Sequence, residues 1–424
     1  MDGQVADGVQ DELSMIVTKF GDWVKELALQ SSGIKSEQDV QTVECRLRDG
    51  GRELVRELLQ SMLQTQLDRR REEGRVCVKC SARRRNHGVR PRQILSSLGE
   101  LSIRGVYWRC PSCGDCGHAA EELLGESMSG LMRGLVCLLG VSLASFDKAE
   151  LVSRRLLGVA VDDDRIRRLC LREGWAAARQ EDTPPVPVKP GGEVIGSCDG
   201  TSVRTRETGW REVKAYRFEH EDGCHGGAYL EKAEVFVSRM VQAADHLGAS
   251  GAGRRLFLSD MAVWITQAVS QKMPDWKHIA DYWHACQHIH QAGEKIYGKE
   301  SPEARKWSGY WSRRLRRYGA AGVDERIRKT VMCYQDPARQ RAVLELVRFL
   351  QRHERQMDYA AYEKQNWTIS SGPMESFCKQ IGQRMKGPGM RWSVKNVTPM
   401  AAMVSRWSLE PEHSSLFAPQ VSAA

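Results

Sequence analysis

Three acidic residues stand where the sequence predicts a phosphoryl-transfer site. Asp199 and Asp260 each end a short apolar segment of the kind that forms a buried strand. Carboxylates at strand ends lie where ligands bind in α/β sheets, and two on adjacent strands can share a pair of divalent cations. Glu375 falls in the first turn of a helix predicted to begin at Gly372-Pro373, because proline is favoured there. The three carboxylates would hold a pair of Mg²⁺ or Mn²⁺ ions, although any one alone is more often a helix cap or a surface charge.

A second cluster consists of two Cys-x-x-Cys pairs, Cys77, Cys80, Cys110 and Cys113. Thiolates at this spacing can surround Zn²⁺ tetrahedrally, so we predict a structural zinc ribbon in a reducing compartment rather than a disulfide framework. Cys116 and His118 lie close enough in sequence to replace one of the four ligands. The segment between the pairs is rich in arginine, which suits phosphate contact but also fits a solvated loop: Arg83, Arg84, Arg85, Arg90 and Arg92.

A helix-turn-helix is predicted over 146–157, 158–161 and 162–172. Gly158 can supply the left-handed turn residue and Asp162 can cap the second helix. The exposed face of that helix carries arginines, as a groove-reading helix requires: Arg165, Arg168 and Arg172, with Arg167 beside them. A helical hairpin without any DNA contact fits the same pattern equally well.

The remaining sequence indicates an α/β protein of several domains. We predict a helical region over 1–75, a zinc-ribbon-like segment over 76–118, helices including the helix-turn-helix over 119–180, and a proline-rich linker over 181–192. Beyond the linker, strands and helices alternate, which indicates a sheet domain over 193–282 and 366–424 with a helical block over 283–365 inserted into it. The predicted strands of that domain are 194–199, 212–218, 233–237, 255–260 and 276–281.

Charge and hydropathy narrow the classes of partner and compartment. The net charge of +9 on 424 residues is a mild bias toward an anionic partner, most commonly nucleic acid. The acidic start has no apolar targeting segment, and the longest apolar run is shorter than the roughly 20 residues that cross a bilayer. We therefore expect a cytoplasmic protein associated with the nucleoid.

Five motifs follow one another along the chain: Cys-Asp199-Gly, Ser-Asp260-x-x-x-Trp264-Ile, Asp281-Tyr-Trp-His284-Ala, Ser-Gly-x-x-Glu375-Ser and Arg384-Met-Lys-Gly-Pro-Gly-Met-Arg-Trp392. Their order closely resembles that of bacterial insertion-sequence transposases of the ISKra group, relatives of the Mutator-like transposases. The resemblance runs from Val76 to Trp407. It implies an RNase H-like catalytic domain with an all-helical insertion, and an Asp199, Asp260 and Glu375 triad.

The resemblance also implies roles for residues around the triad. Asp281 and His284 match an Asp-x-x-His element of the active site, and His284 could contact the scissile phosphate or be only a packed histidine. Trp264 could stack on a base, although a core tryptophan is the more common case. The family usually has glycine where this chain has Met261, which puts the local turn in doubt. The basic string after Glu375 is expected to contact DNA phosphates: Arg384, Lys386 and Arg391, with Lys395 beyond it.

Together these features predict a DNA transposase. It would cut at terminal inverted repeats and join the freed ends to target DNA, as a homodimer or higher oligomer on double-stranded DNA. One alternative is a domesticated or inactive transposase that only binds specific DNA. The other is a nuclease of the same fold that cuts without joining.

Overall fold

The computed structural model describes residues 2–31, 33–69, 76–124, 127–179 and 186–409. The chain divides into two compact units, and the boundary between them lies between Leu169 and Cys170, inside a helix. The predicted linker over 181–192 begins further along, and its residues 181–185 lie outside the described ones. In the described ranges, no helix combines the length and the apolar character needed to cross a membrane.

The first unit begins with two long helices and a small antiparallel sheet. The helices are α1 (Asp2–Ser31) and α2 (Glu37–Arg69), and the strands, in spatial order, are β1 (Arg85–Ser96), β2 (Gly99–Arg109) and β3 (Cys116–His118). Leu67 of α2 packs with Ile94 and Ile103 of the sheet in one buried cluster. Three helices follow, α3 (Ala119–Leu124), α4 (Gly130–Ser142) and α5 (Phe146–Val152). Much of the segment predicted as an arginine-rich loop is therefore strand β1.

The predicted helix-turn-helix segment contains two helices and a left-handed glycine. α5 continues into a π-helical turn over Ser153–Leu157, and Gly158 follows with φ of 64°. α6 (Asp163–Arg179) begins after Asp162, whose Oδ1 accepts a hydrogen bond of 2.8 Å from the Arg165 N–H. Both local signals read from the sequence, the turn glycine and the aspartate cap, act as expected.

The second unit is built on a mixed five-stranded sheet. Its strands are β4 (Glu193–Thr205), β5 (Gly209–His220), β6 (Gly223–Tyr229), β7 (Arg254–Ser259) and β8 (Lys277–Ala280). The spatial order is β6-β5-β4-β7-β8. The first three strands pair antiparallel, whereas β4, β7 and β8 pair parallel.

One predicted strand was wrong. Residues 233–237 belong to helix α7 (Ala233–His246), and the third strand in chain order is β6 instead. The short stretch alternates like a strand, but Phe236, Met240 and Ala243 continue it at helical spacing and are buried. β6 was missed because its glycines resemble a turn. Gly226 is needed there, since a Cβ would meet the Tyr216 carbonyl oxygen at 2.5 Å.

The two faces of the sheet bury separate cores. Phe257 of β7 joins the cluster formed with α7 and α8 (Val263–Lys272), whereas its neighbours Leu256 and Leu258 join the cluster on the opposite face. That second cluster includes α9 (Tyr282–Tyr297). The alternation follows the two-residue period of a strand. The same alternation places the residue two positions after Leu258 on the α9 side of the sheet.

Helices occupy the chain between β8 and the helix that carries Glu375. After α9 come α10 (Pro302–Tyr318), α11 (Ala321–Thr330), α12 (Pro337–Arg352) and α13 (Tyr359–Lys364), joined by short turns. Serine or aspartate caps with proline in the first turn begin α10 and α12. The last helices are α14 (Gly372–Met385) and α15 (Val394–Leu409). Helices α9 to α13 correspond to the helical segment predicted over 283–365.

Candidate active site and metal centre

Asp199 and Asp260 lie side by side on neighbouring parallel strands. β4 and β7 pair in an unbroken register from Glu193 opposite Arg254 to Ser197 opposite Leu258. Continued by two residues, this register places Asp199 opposite Asp260. Both carboxylates then fall on the face of the sheet that α9 covers, because Leu258 points to that face.

The charges of these two carboxylates act on each other. Burial raises the pKa of Asp199; the Gly200 N–H, 2.6 Å from Oδ1, opposes that rise, and the Asp260 carboxylate adds to it. Asp260 is half-buried, and its Oδ1 accepts a hydrogen bond of 2.8 Å from the Ala262 N–H before α8. Two half-buried carboxylates that repel each other suit a divalent cation, which would offset both charges.

Glu375 lies on a helix that reaches the same site, but its side chain has another partner. Cys378, one turn further along α14, contacts the Asp199 carboxylate. Glu375 itself is exposed, and its Oε1 lies 2.8 Å from Lys379 Nζ. In the described residues, the three carboxylates do not form a group whose donor atoms all lie within 4.8 Å of one another. Glu375 would have to leave Lys379 to join the two aspartates.

Asp281 connects the two helices that carry the remaining site residues. It directly follows β8 and caps α9, accepting a hydrogen bond of 2.9 Å from the His284 N–H. Its second oxygen accepts hydrogen bonds from the N–H and the hydroxyl of Ser371, the latter at 2.7 Å, at the start of α14. The carboxyl is 3% exposed. Burial opposes its ionisation, but the hydrogen bonds from His284 and Ser371 lower the pKa of Asp281 to about 2.

His284 faces the aspartate pair. Its Nδ1 lies 3.3 Å from Asp281 Oδ1, and its side chain remains 28% exposed. The contact with Asp281 raises the pKa of His284 most strongly, burial opposes this, and the charges of Asp199 and Asp260 add to the rise. The imidazole is therefore biased toward its cationic form at the edge of an acidic site.

Met261 adopts a backbone conformation that favours glycine. Its φ is 66°, in the left-handed region, directly after Asp260. The side chain is 4% exposed within the α9-side core, and its N–H donates to Ser259 Oγ at 3.2 Å. The turn expected of glycine therefore forms with methionine. Burial of the side chain offsets the cost of the left-handed conformation, about 1–2 kcal/mol.

The four cysteines predicted to bind zinc come together in the first unit. Sγ–Sγ distances are 3.6 Å for Cys77–Cys113 and 3.5 Å for Cys80–Cys110 and Cys80–Cys113. A tetrahedral Zn²⁺ with bonds of about 2.3 Å needs sulfurs about 3.8 Å apart. The donor atoms all lie within 4.8 Å of one another, so this cluster could hold a structural zinc ion.

The two cysteine pairs have the same backbone fold. Each second cysteine is followed by a left-handed residue, Ser81 at 58° and Gly114 at 74°. The N–H of that residue donates to the carbonyl of the first cysteine, at 2.8 Å in one pair and 3.1 Å in the other. Backbone N–H groups inside the second pair lower the pKa of the Cys110 thiol, which favours the ligating thiolate.

His118, one of the two possible substitute ligands, has partners outside the cluster. His118 is occupied elsewhere, since Nε2 lies 3.0 Å from the Arg90 carbonyl and Nδ1 accepts from the Ala120 N–H at 3.1 Å. Asp115 accepts from Arg84 at 2.7 Å and lies 2.8 Å from Lys79 Nζ. These two cations beside the cluster would offset the excess negative charge of four thiolates around one Zn²⁺.

Acidic neighbours accompany most of the arginines predicted to read DNA. Arg168 lies 3.0 Å from Asp164, and Arg172 lies 2.7 Å from Glu173. Arg165 is half-buried and reaches the Ser127 carbonyl and hydroxyl, each at 3.4 Å. Exposed ion pairs of this kind contribute little stability, so a phosphate could compete for the arginines.

The residues predicted to contact DNA near the triad divide into buried and exposed groups. Arg384 is 3% exposed, and its guanidinium lies 5.4 Å from the Trp392 ring. Burial lowers the pKa of Arg384 to about 10. Trp264 packs edge-on against Phe236. Lys386, Arg391 and Lys395 are exposed.

Sequence reasoning missed the residues that hold the site together. Ser371, Cys378 and Lys379 contact Asp281, Asp199 and Glu375 respectively. Ser371 lies in the Ser-Gly-x-x-Glu motif, so its position could have drawn attention. Its partner stands 90 residues earlier. No local pattern reveals such a contact.

Comparison by sequence finds no matching protein family and no matching curated protein. Among solved structures, the chain is similar to one described as "Drosophila P element transposase strand transfer complex". The similarity has 9% sequence identity and a TM-score of 0.25, and it covers 65% of this chain and 77% of that chain. A TM-score of 0.25 is too low to assign a fold or a function.

Proposed function

We propose that this chain is a DNA transposase that cuts and joins DNA strands at divalent cations held by Asp199, Asp260 and Glu375. The observation that carries the proposal is the facing pair Asp199 and Asp260, on neighbouring parallel strands, with the charge of one raising the pKa of the other. A carboxylate pair in a protein that binds no cation there would be destabilising. An acidic face beside His284, whose pKa is raised by Asp281, suits a site that handles phosphate and metal together.

The fold supports an RNase H-like catalytic domain. Three antiparallel strands are followed by two parallel ones; Asp199 lies in the middle of β4, just beyond the part that pairs with β7, and Asp260 directly follows β7. All-helical chain then separates the fifth strand from the Glu375 helix. This is the arrangement that the resemblance to ISKra-group transposases implies.

The residues present fit a pair of Mg²⁺ or Mn²⁺ ions. Asp199 and Asp260 would hold them, and Glu375 would complete the set by exchanging Lys379 for the metal. Bound ions of this kind stabilise both the attacking and the leaving oxygen of a phosphoryl displacement. His284, held through Nδ1 by Asp281, has Nε2 left to donate to a phosphate oxygen.

Recognition of DNA would lie mainly in the chain before the proline-rich linker. The zinc-ribbon-like segment and the helix-turn-helix would bind terminal inverted repeats, with Arg165, Arg168 and Arg172 facing the groove. Lys386 and Arg391 would contact phosphates beside the metals. Arg384 is left out because its charge is buried. A homodimer or higher oligomer on DNA, in the bacterial nucleoid, belongs to the same proposal.

The test is a cleavage and joining assay with a plasmid that carries the DNA flanking the coding region. We expect the native chain with Mg²⁺ to nick this plasmid and to join a labelled end to target DNA. Asp199→Asn, Asp260→Asn and Glu375→Gln should bind DNA normally and do neither. Asp275→Asn is the matched control, since this aspartate is 75% exposed on the same unit.

Each alternative gives a distinct result in that assay. Sequence-specific binding without cleavage by the native chain would favour a DNA-binding protein that has lost catalysis. Cleavage without joining would favour a nuclease. Full activity of any triad variant would remove that residue from the proposed site.

A further inference from the structure

One exposed face of α10 is strongly basic. The helix contains six cations and a single acid, Glu303, which lies in its first turn. Lys306, Tyr310, Arg313 and Arg317 follow one another at intervals of four, three and four residues, which aligns them along one side of the helix. All four side chains are exposed. We call these four residues the α10 stripe; it is roughly 16 Å long at a rise of 1.5 Å per residue.

The stripe stands opposite the buried side of its helix. Ala304, Ser308, Trp311 and Leu315 are buried, and the last two belong to the α9-side core. The stripe therefore cannot turn inward without removing that core. Within the described part of the chain, no acidic group lies within ion-pair distance of Lys306 or Arg313. Their positive charges remain available to a partner.

Aromatic rings restrict Arg317 of the stripe and its neighbour Arg314. Arg314 lies 5.6 Å from the centre of the Tyr310 ring and 4.8 Å from that of Tyr318. Arg317 also lies over Tyr318, at 5.4 Å. Cation–π contacts restrict long side chains without neutralising them. Less conformational entropy is then lost when these arginines bind an anion.

Two residues of α10 that lie outside the stripe contact the start of α9. The Tyr282 hydroxyl donates to the Ser312 carbonyl at 3.2 Å, and the Arg316 guanidinium lies 5.8 Å from the Tyr282 ring. Arg316 is itself paired with Glu363, at 2.8 Å from its Nε. Arg313 and Arg317 are the next residues along from these two contacts. Tyr282 follows Asp281 directly, so α10, the helix that carries the stripe, packs against the end of α9 that carries His284.

We propose that the α10 stripe binds the phosphate backbone of double-stranded DNA that extends from the active site. Duplex DNA carries one phosphate per strand for each 3.4 Å of its axis, so a stripe of this length spans about five of them. Arginine and lysine without acidic neighbours suit such a contact, and contacts to phosphates carry no sequence information. The assignment rests on the proposed function, because it makes this surface part of the same DNA path.

The test compares two triple variants of the full chain. Lys306→Gln, Arg313→Gln and Arg317→Gln together remove the charges of the stripe. The matched control changes Arg341, Arg348 and Arg352 to Gln; these are exposed on α12 of the same helical block, two of them close enough to Glu345 to lower its pKa. The probe is a labelled 30-base-pair duplex of random sequence, titrated at several salt concentrations without added Mg²⁺. Thermal unfolding of each variant checks that it folds.

We expect the stripe variant to bind the duplex about 100-fold more weakly at 0.1 M salt and to lower the salt slope by roughly two to three units, at about 0.9 per phosphate contact. The α12 variant should change the slope by less than about one unit. Equal effects of the two variants would overturn the proposal. Loss of binding to a single-stranded oligonucleotide or to RNA, with duplex affinity unchanged, would also overturn it.

The binding assay separates this inference from the proposed catalysis. If the stripe variant loses duplex affinity while the native chain cleaves no DNA with Mg²⁺, the surface stands and the catalytic proposal fails. If the native chain cleaves and the stripe variant binds as tightly as it does, the surface alone fails.

Discussion

Replacement of Asp281 by asparagine should both destabilise the second unit and disturb the candidate site. The change keeps the shape of the side chain but puts an amide N–H₂ where one acceptor oxygen stood. Asp281 now accepts from the His284 N–H with one oxygen and from Ser371 with the other. An asparagine can satisfy only one of these two sides.

The structure gives the size of the expected effect. Hydrogen bonds to a charged group contribute about 1.5–3 kcal/mol each, and two are lost if the amide faces Ser371. An independent measure is the pKa of about 2 against an ordinary value of 3.8. At 1.36 kcal/mol per pKa unit, this difference corresponds to about 2–3 kcal/mol for a carboxyl that is 3% exposed. We therefore expect a loss of about 3 kcal/mol.

Calorimetry of the full chain measures this loss as a shift of the second unit's unfolding transition. For a unit of this size, about 3 kcal/mol corresponds to a decrease in Tm of roughly 6–12 °C. Asp275→Asn, on the exposed surface, should change Tm by no more than about 2 °C.

Because the pKa of Asp281 is depressed by folding, its contribution is complete above about pH 4 and is lost as the pH falls toward 2. The gap between native and variant chains should therefore narrow below pH 4, and it should widen as the pH falls through the range in which His284 becomes protonated, because Asp281 raises the pKa of His284. Equal Tm values for Asp281→Asn and Asp275→Asn would refute the role assigned to this carboxyl.

Three further predictions concern the metal cluster, the strained turn and the basic string. Freshly purified protein should contain about one zinc per chain, as measured by metal analysis. The Cys110→Ser variant should lose this zinc, and the Cys116→Ser variant should keep it. Equal zinc in both variants would exclude Cys110 as a ligand. Met261→Gly should relieve about 1–2 kcal/mol of backbone cost but lose a buried side chain that contributes about 2–5 kcal/mol. We therefore expect a net decrease in the Tm. An increase in the Tm would contradict the packing described for Met261. Arg384→Met should change the Tm and leave the salt slope of DNA binding unchanged, because Arg384 is buried. Lys386→Ala should lower that slope by about one unit at unchanged Tm, because Lys386 is exposed. The reverse pattern would show that Arg384 is the phosphate contact.

Local patterns predicted the parts of the site that are local. The cysteine pairs were recognised because metal ligands must be spaced in this way, and Asp199 and Asp260 were proposed because mainly apolar residues precede each of them. The expectation that Asp199 ends its strand was wrong, since β4 continues to Thr205 in its pairing with β5. The left-handed Gly158 and the Asp162 cap were equally readable, since each acts on its own helix end. In these cases the physical cause lies within a few residues of the effect.

The features that sequence reasoning missed depend on distant contacts. Arg384 was expected on the surface because it belongs to a basic string, yet it is buried near Trp392, whose Nε1 donates to the Met385 carbonyl at 3.1 Å. The role of Asp281 depends on Ser371, which only the completed fold brings to it. Strand β6 was overlooked because its glycines are needed for close approach of neighbouring backbone, a demand that is invisible without the sheet.

We propose that Asp260 and Asp199 together hold a catalytic divalent cation. The most direct test is the metal dependence of DNA cleavage by Asp260→Cys. A thiolate binds Mg²⁺ poorly but accepts a softer ion such as Mn²⁺, whereas carboxylate accepts both. We predict that the native chain cleaves with either ion and that Asp260→Cys cleaves with Mn²⁺ only. Equal activity of the variant with Mg²⁺ and Mn²⁺ would show that residue 260 does not touch the metal.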